Sequence, residues 1–350
     1  MFNFPKTMRA AILVEQNKPL VVDQVGLPES LDVGQVLVKV QFSGVCGSQL
    51  GEIDGAKGID SYLPHLLGHE ASGIVQAIGL GVKFVKPGDH VVLHWRKSQG
   101  IESVPPRYTW QGTQVNAGLI ATFNEYAIVS ENRVTKIDSS RDMEIASLFG
   151  CAVTTGFGVV ENNAEIRFGE AVVVFGAGGV GLNIIQAASL VSAYPIIAVD
   201  LYDGRLELAK SFGATHTINS AVTDAKAAIK SIIADQGLDV FIDNTGQTSI
   251  IEMGYELTGA QGRLVLVGVP RKGKNINIYS LPLHFGKTIS GSHGGEAIPH
   301  LDIPRYHKLL DSGLIELKSL ITERFSLEDI NTAIARMRSG EMSGRCLIRM

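Results

Sequence analysis

The glycine-rich segment that follows the apolar run Val172–Phe175 constrains the fold of this chain more than any other feature. The run has the length and β-branched composition of a buried strand, and the turn Gly176–Gly181, with the sequence GAGGVG, follows it directly. A helical pattern begins near Val180, and a second apolar run ends at Asp200. Glycines at these spacings permit a tight turn, close approach of a pyrophosphate and close helix–strand packing, while the helix N-terminus stabilises phosphate charge. The segment therefore predicts a βαβ unit that binds a dinucleotide.

The sequence pattern changes near Thr154. Before this residue, short β-branched runs are separated by Gly and Pro and helical periodicity is scarce, which predicts a partly open β-barrel. After it, strand-like and helical stretches alternate, which predicts a doubly wound parallel sheet. The tail after Gly294 carries two amphipathic helices and a last strand, and we expect it to return to the barrel. We therefore predict an α/β protein with a catalytic domain, residues 1–153 and 294–350, and an inserted nucleotide-binding domain, residues 154–293.

Composition narrows the class of protein. A chain of 350 residues with 45% hydrophobic and 19% charged residues is typical of a soluble globular protein of two domains. The net charge of −4 favours neither nucleic acid nor an anionic membrane as a partner. The N-terminus lacks a secretory pattern, no run of about 18 apolar residues occurs, and three cysteines are too few for a disulfide framework. These features predict a cytoplasmic protein whose partner is a small molecule.

Two cysteines and a histidine stand in short motifs that point to a metal centre. Cys46 lies in GVCGS, His69 in GHE and Cys151 in LFGC. Thiolates and imidazole are ligands that Zn²⁺ prefers, and three protein ligands leave a fourth position open. Taken singly, a cysteine is more often a small core residue, and the wide spacing is not that of a zinc finger. We interpret the remaining candidates as structural residues: His65, His94, His293 and Cys346.

Several motifs in one order make the chain similar to a known family. They are GVCGS, G-H-E-x2-G-x5-G, PGD-x-V, GC-x3-TG, GAGGVG and SG-x3-GR. This chain resembles the zinc-containing alcohol dehydrogenases of the medium-chain dehydrogenase/reductase family over nearly its whole length. The resemblance implies a GroES-like β-barrel domain, a Rossmann domain and one catalytic Zn²⁺ held by Cys46, His69 and Cys151.

The resemblance also implies roles for single residues. Ser48 matches the hydroxyl that passes the substrate proton outward, Glu70 a carboxylate near the metal, and Trp95 an aromatic wall of the substrate pocket. The predicted cofactor contacts are Thr155, Gly176, Gly178, Gly179, Val180, Gly181, Asp200, Arg205, Gly268, Val269 and Arg345.

Two charged residues bear on the choice of cofactor. Asp200 is placed to accept hydrogen bonds from both ribose hydroxyls and would repel the extra phosphate of NADP. Arg205 could instead favour a 2′-phosphate. We expect Asp200 to dominate, and we predict NAD as the cofactor.

This chain departs from the family pattern at several positions. No cysteine occurs between His94 and Asn124, so we predict that the family's structural zinc is absent. Gly51 stands where the well-known members carry a relay histidine, Gln49 where they carry an acid behind the zinc histidine, and Gly47 where a basic residue often contacts the pyrophosphate. We therefore expect the outer proton path and the surroundings of the metal to differ.

The predicted function is hydride transfer between an alcohol and NAD. We favour a secondary alcohol, polyol or sugar, with primary alcohols and aldehydes as the alternative. A zinc-free enone or quinone reductase normally lacks the three ligands, and a non-catalytic NAD-binding protein would have lost Ser48 or a ligand. The run 286–294 has the place of the family's pairing edge strand, which predicts a homodimer or homotetramer.

Overall fold

Short strands dominate the first 140 residues of the computed structural model, which describes residues 4–350. β-Branched residues in alternating or fully buried patterns account for most of these strands. They are β1 (Thr7–Leu13), β2 (Val21–Gly26), β3 (Gln35–Gly44), β4 (His65–Leu66), β5 (Glu70–Ile78), β6 (His90–His94), β7 (Tyr108–Trp110), β8 (Thr113–Val115), β9 (Tyr126–Ser130) and β10 (Val134–Ile137). Three short helices belong to this part and to the segment that follows it: α1 (Gly47–Ile53), α2 (Met143–Ser147) and α3 (Ala152–Gly158).

These strands form two antiparallel sheets with apolar side chains between them. One sheet has the order β4-β1-β2-β7-β8, and the other contains β10-β6-β5-β3, with β9 also paired to β3. A bridge between Ala10 and Asn124 connects the sheets, and Leu37 and Tyr108 are among the fully buried residues between them. The cysteine-free segment 94–124 thus contributes two strands, β7 and β8, to the end of the first sheet.

Strands and helices alternate after α3, as predicted. The strands are β11 (Val172–Phe175), β12 (Ile196–Asp200), β13 (His216–Asn219), β14 (Leu238–Asp243), β15 (Thr258–Leu266) and β16 (Thr288–Gly291). The helices are α4 (Gly179–Leu190), α5 (Asp203–Ser211), α6 (Ala225–Ile233) and α7 (Thr248–Leu257). The sheet is parallel, with the order β13-β12-β11-β14-β15-β16. The order reverses between β11 and β14, and the crevice at such a point is where open α/β sheets bind ligands.

The last 50 residues pack on the first domain as well as on the sheet. Their elements are α8 (Pro299–Asp311), β17 (Ile321–Ser326), α9 (Ile330–Ser339) and β18 (Arg345–Arg349). β18 pairs antiparallel with β3, with Leu347 opposite Gly44, and parallel with β17. This pairing carries Arg345 to the side of the β3–α1 connection.

Single-turn 3₁₀ or π helices complete the connections. They are Glu131–Arg133, Leu148–Gly150, Val159–Asn163, Ala234–Gln236, Leu281–Phe285, Gly294–Glu296 and Leu327–Asp329. Among residues 4–350, no single helix is long and apolar enough to cross a membrane. One pair, Met143–Gly150 with Ala152–Asn163, passes the test of length and composition only when joined across a bend of 51°.

Candidate active site

The three predicted metal ligands, far apart in the sequence, meet at one point. Cys46 lies between β3 and α1, His69 directly before β5, and Cys151 directly before α3. Their ligand atoms all lie within 4.8 Å of one another, and in the part of the chain that the structure describes this is the one such group found. The strand pairing of β3 with β5 accounts for the approach of Cys46 to His69.

The chemistry of this cluster fits a soft divalent cation. Cys151 hydrogen-bonds to the sulfur of Cys46, which lowers the pKa of Cys46 well below its usual value. The same contact, together with burial, raises the pKa of Cys151. His69 Nε2 is buried without a hydrogen-bond partner. Two hydrogen-bonded cysteine sulfur atoms and an unpaired imidazole nitrogen together are the donor set expected of a zinc site.

The other ring nitrogen of His69 contacts Gln49. Gln49 Nε2 lies 2.5 Å from His69 Nδ1, and Gln49 Oε1 accepts a hydrogen bond of 3.0 Å from the backbone N–H of Cys46. Gln49 is 1% exposed. The group that faces His69 Nδ1 is therefore the amide of Gln49, and the oxygen of this amide already accepts a hydrogen bond from Cys46.

Three more predicted residues lie around the cluster. Ser48 Oγ is buried without a partner, so its hydroxyl is free to exchange a proton with a bound molecule. The ring centroid of Trp95 lies 6.4 Å from that of His69. Thr155 Oγ1 lies 3.9 Å from Cys151 Sγ. These side chains give the cluster a hydroxyl and an aromatic ring on which a substrate could rest.

Glu70 and Arg345 form a buried ion pair behind the cluster. Their side chains are 0% and 3% exposed, and Glu70 Oε1 contacts Arg345 Nη2. Glu70 Oε2 accepts a hydrogen bond of 3.1 Å from the N–H of Ala152, the residue after Cys151. A Cβ atom added to Gly179 would lie 2.1 Å from Arg345 Cδ, so the arginine crosses the first turn of α4. The pair thus joins the surroundings of the metal ligands to the glycine-rich turn.

The turn has the geometry that its glycines predict. Gly176 has a φ of +96°, which favours glycine, and a Cβ atom on Gly181 would lie 2.0 Å from the carbonyl oxygen of Gly176. Gly178 faces open space, with no atom within 4 Å of an added Cβ. Val180 lies in the first turn of α4. The structure therefore leaves room for a pyrophosphate at the helix N-terminus.

Asp200 ends β12 beside this turn, but its carboxylate already has several partners. Oδ2 accepts from Ala177 N–H at 2.8 Å, and Oδ1 accepts from Leu201 and Tyr202 N–H. Arg205 Nη1 lies 3.6 Å from Oδ1. Asp200 therefore stabilises the turn itself, and Oδ2 is the oxygen with the larger remaining capacity for a ribose hydroxyl.

The loops after β14 and β15 close on each other at the carboxyl edge of the sheet. A Cβ atom on Gly268 would lie 2.2 Å from Gly246 N, and Val269 is 59% exposed. Sequence reasoning missed Asn244, whose side-chain oxygen and nitrogen are both buried without a partner next to Gly176. Its position directly after β14 was the available signal, because ligands bind at the carboxyl ends of parallel strands.

Several other candidates do not belong to the site. Burial lowers the pKa of His94 to about 4, and His94 contacts Thr135 and the carbonyl of Arg96. Burial raises the pKa of Cys346 to about 12. Trp110, the other tryptophan of the chain, lies in β7 and donates a hydrogen bond to Asp23. Trp95, whose ring is near that of His69, also packs edge-on against His293, with the two ring centroids 4.9 Å apart.

Comparison with known proteins identifies two family domains in this chain. The model of the alcohol dehydrogenase GroES-like domain matches residues 32–139, and that of the zinc-binding dehydrogenase domain matches residues 179–312. The chain is 32% identical to an S-(hydroxymethyl)glutathione dehydrogenase of Paracoccus denitrificans over 95% of this chain and 97% of that one. It is 31% identical to alcohol dehydrogenase 1 of Trifolium repens, over 98% and 97% of the two chains.

A solved structure shows the same fold. The chain superimposes on benzyl alcohol dehydrogenase of Acinetobacter calcoaceticus with a TM-score of 0.87 and 30% identity, over 99% of this chain and 100% of the other. The predicted combination of a GroES-like domain and a Rossmann domain is thereby confirmed. Sequence motifs, fold and ligand cluster agree, and the chain belongs to the zinc-dependent alcohol dehydrogenases of the medium-chain dehydrogenase/reductase family.

Proposed function

We propose that this enzyme transfers a hydride between an alcohol and NAD, with one catalytic Zn²⁺ per subunit held by Cys46, His69 and Cys151. The observation that carries the proposal is the convergence of these three ligand atoms within 4.8 Å. In this proposal residues 1–153 and 294–350 form the catalytic domain, and residues 154–293 form the nucleotide-binding domain. No second metal is proposed, because His94 to Asn124 contains no cysteine.

The chain's own side chains supply orientation and a path for the proton. When bound, Zn²⁺ supplies a Lewis acid that stabilises negative charge on a substrate oxygen. Ser48 Oγ, which has no partner, relays the proton of the substrate hydroxyl outward: it accepts that proton as it gives its own to water or to a ribose hydroxyl. Trp95 limits where the substrate carbon can lie, and Thr155 lies under the nicotinamide ring, so that the carbon faces the ring. Glu70 acts from behind the cluster, through its ion pair with Arg345.

The cofactor lies, in this proposal, along the glycine-rich turn. Gly178 and the N-terminus of α4 bind the pyrophosphate with help from Arg345, while Asp200 binds the adenosine ribose and favours NAD over NADP. Gly268 and Val269 lie along the nicotinamide. The unpartnered amide of Asn244 provides a further hydrogen-bonding group beside the turn.

The aromatic side chain beside the metal ligands bears on the substrate class. A flat indole face beside the metal ligands suits a sugar ring or an aryl group, and we keep the preference for a secondary alcohol, polyol or sugar. A primary alcohol is the second candidate, because the names of two similar proteins are benzyl alcohol dehydrogenase and S-(hydroxymethyl)glutathione dehydrogenase.

We also propose a homo-oligomer that forms through β16. This strand ends the parallel sheet, and most of its residues are exposed. Exposed edges of this kind are normally paired or covered. Light scattering at micromolar concentration tests the proposal, and a monomer would contradict it.

Two measurements test the main proposal. Metal analysis of the purified chain should give one zinc per subunit, and two would contradict the single-site model. A panel of secondary alcohols, polyols, sugars, benzyl alcohol and primary alkanols, assayed for NADH formation, identifies the substrate class. Turnover of enones without any alcohol activity, unaffected by chelation of zinc, would favour a zinc-free reductase instead.

A further inference from the structure

Gln49 presents a hydrogen-bond donor to the histidine of the metal cluster. Its oxygen accepts the N–H of Cys46 at 3.0 Å, so its NH₂ group faces His69 Nδ1 at 2.5 Å. In this arrangement Nδ1 is the acceptor, and the ring proton is on Nε2. Nε2 is also the nitrogen that has no partner in the structure.

Metal binding requires the opposite arrangement of the ring proton. A neutral imidazole that binds a metal through Nε2 carries its proton on Nδ1, and that N–H normally donates to a carboxylate, a carbonyl or water. With the amide as it stands, the Nδ1 proton would meet an NH₂ group. If the amide turns over, its oxygen serves His69, but the NH₂ group then meets the N–H of Cys46. Either orientation leaves one buried N–H opposite another donor.

We propose that Gln49 is a positioning residue that keeps the affinity of the cluster for its divalent metal ion below the affinity that a carboxylate in the same place would give. Its one amide oxygen can serve either Cys46 or His69, and Gln49 is 1% exposed, so bulk water does not compensate. The inference rests on the proposed metal centre, and it concerns how tightly that centre holds zinc rather than which reaction it performs.

Three variants separate this role from packing. Gln49→Glu keeps the shape of the side chain and offers two acceptor oxygens, so both N–H groups are paired when the metal is bound. We expect the dissociation constant of Gln49→Glu for Zn²⁺ to be lower by roughly 10–100-fold, the usual size of the effect of a group that hydrogen-bonds to a metal ligand. Gln49→Met removes the donor together with the acceptor and should bind Zn²⁺ about as the native chain does. Gln49→Asp repeats the first change with a shorter side chain.

A matched control variant measures the effect of added negative charge alone. Gly47 is exposed, adjoins Cys46 and has no atom within 4 Å of an added Cβ. Gly47→Asp therefore introduces a carboxylate next to Cys46 at an exposed position with open space around it. The gain of Gln49→Glu should clearly exceed any gain of Gly47→Asp.

The measurement is competition for Zn²⁺ between each full-length chain, stripped of metal under reducing conditions, and a chromogenic chelator. Thermal unfolding of the metal-free forms checks that each variant is folded. The inference is overturned if Gln49→Glu and Gln49→Asp bind no more tightly than the native chain or than Gly47→Asp. It is also overturned if Gln49→Met binds 10–100-fold more weakly, because the amide would then support the metal. Failure of the native chain to bind one zinc, with Cys46→Ala indistinguishable from it, would instead contradict the proposed function.

Discussion

The glycine-rich turn and the metal cluster of this enzyme are assembled in different ways. Residues Gly176–Gly181 are contiguous, and strand β11, the turn and helix α4 build the binding surface within about 20 residues. Cys46, His69 and Cys151 come from three segments that only the packing of β3, β5 and α3 brings within 4.8 Å. A contiguous site depends on local geometry, whereas a dispersed site is only as well formed as the domain around it.

The two regions are nevertheless connected by one buried contact. Glu70 follows His69 directly and hydrogen-bonds beside Cys151, while Arg345 crosses the N-terminus of α4. A change at one region can therefore reach the other through this ion pair. The variants below test how far the metal cluster and the glycine-rich turn depend on each other.

Removal of a metal ligand should have the largest effect on turnover, and this effect should be confined to the metal cluster. Cys46→Ala or His69→Ala is expected to lower kcat by at least about 10³-fold, because the lost Lewis acid contributes several kcal/mol. The fold and the affinity for NAD should persist, since the turn is built independently. Metal analysis, circular dichroism and NAD titration check this. Cys346→Ala, which alters the cysteine outside the cluster, should keep its zinc, and a His69→Ala variant with substantial turnover would contradict a catalytic metal.

Breaking the Glu70–Arg345 pair should affect both regions. Arg345→Met leaves the buried carboxylate of Glu70 without its cationic partner, and we expect the free energy of unfolding to fall by about 3–5 kcal/mol. Affinity for NAD should fall as well. Urea unfolding and NAD titration measure the two effects. Glu70→Gln combined with Arg345→Met should recover part of the stability, and a loss below about 1 kcal/mol in Arg345→Met, the size of an exposed pair, would show that the pair is unimportant.

Loss of the Ser48 hydroxyl should have a smaller effect, and only turnover should change. Ser48→Ala is expected to reduce turnover by roughly 10²-fold, the scale of a lost proton-transfer group. Zinc content and NAD affinity should stay near normal, because this hydroxyl is neither a metal ligand nor a phosphate contact. Ser48→Thr retains the hydroxyl and should retain activity. Unimpaired hydride transfer by Ser48→Ala in single-turnover assays would mean that the proton leaves by another path.

Substitution of Asp200 should have the smallest effect, and this effect is a change in the preference between NAD and NADP. Asp200→Gly removes the charge that disfavours a 2′-phosphate and leaves Arg205 free, so the ratio of kcat/KM for NADP to that for NAD should rise about tenfold, as one charge contact of about 1.4 kcal/mol implies. The ratio is the appropriate measure, because the loss of the Asp200–Ala177 hydrogen bond will also weaken binding of both cofactors. Equal efficiency of NAD and NADP in the unmutated enzyme would contradict the NAD assignment, and Asp200→Gly with Arg205→Met should lose the gain.

Some of the fold was predictable because its signals are local. Strand β11 was predicted with its observed bounds, Val172–Phe175, and the alternation after Thr154 predicted the parallel sheet, since the change from a two-residue to a helical period is visible in one sequence. Strands β4, β7 and β8, with two or three residues each, carry no period that a sequence pattern can reveal. Their formation depends on the neighbouring strands that they pair with.

The sequence by itself determined the chemistry available to this protein: two cysteines, a histidine and a serine in recognisable motifs, and a glycine turn whose geometry follows from the absence of side chains. Tertiary structure decided which of these groups meet and what stands behind them. Glu70 and Arg345, 275 positions apart in the chain, pair because β18 returns to β3, and the donor side of Gln49 faces His69 because Cys46 occupies its oxygen. Contacts of this kind depend on long-range packing and on which hydrogen-bonding groups are already paired, and neither is encoded in a local motif.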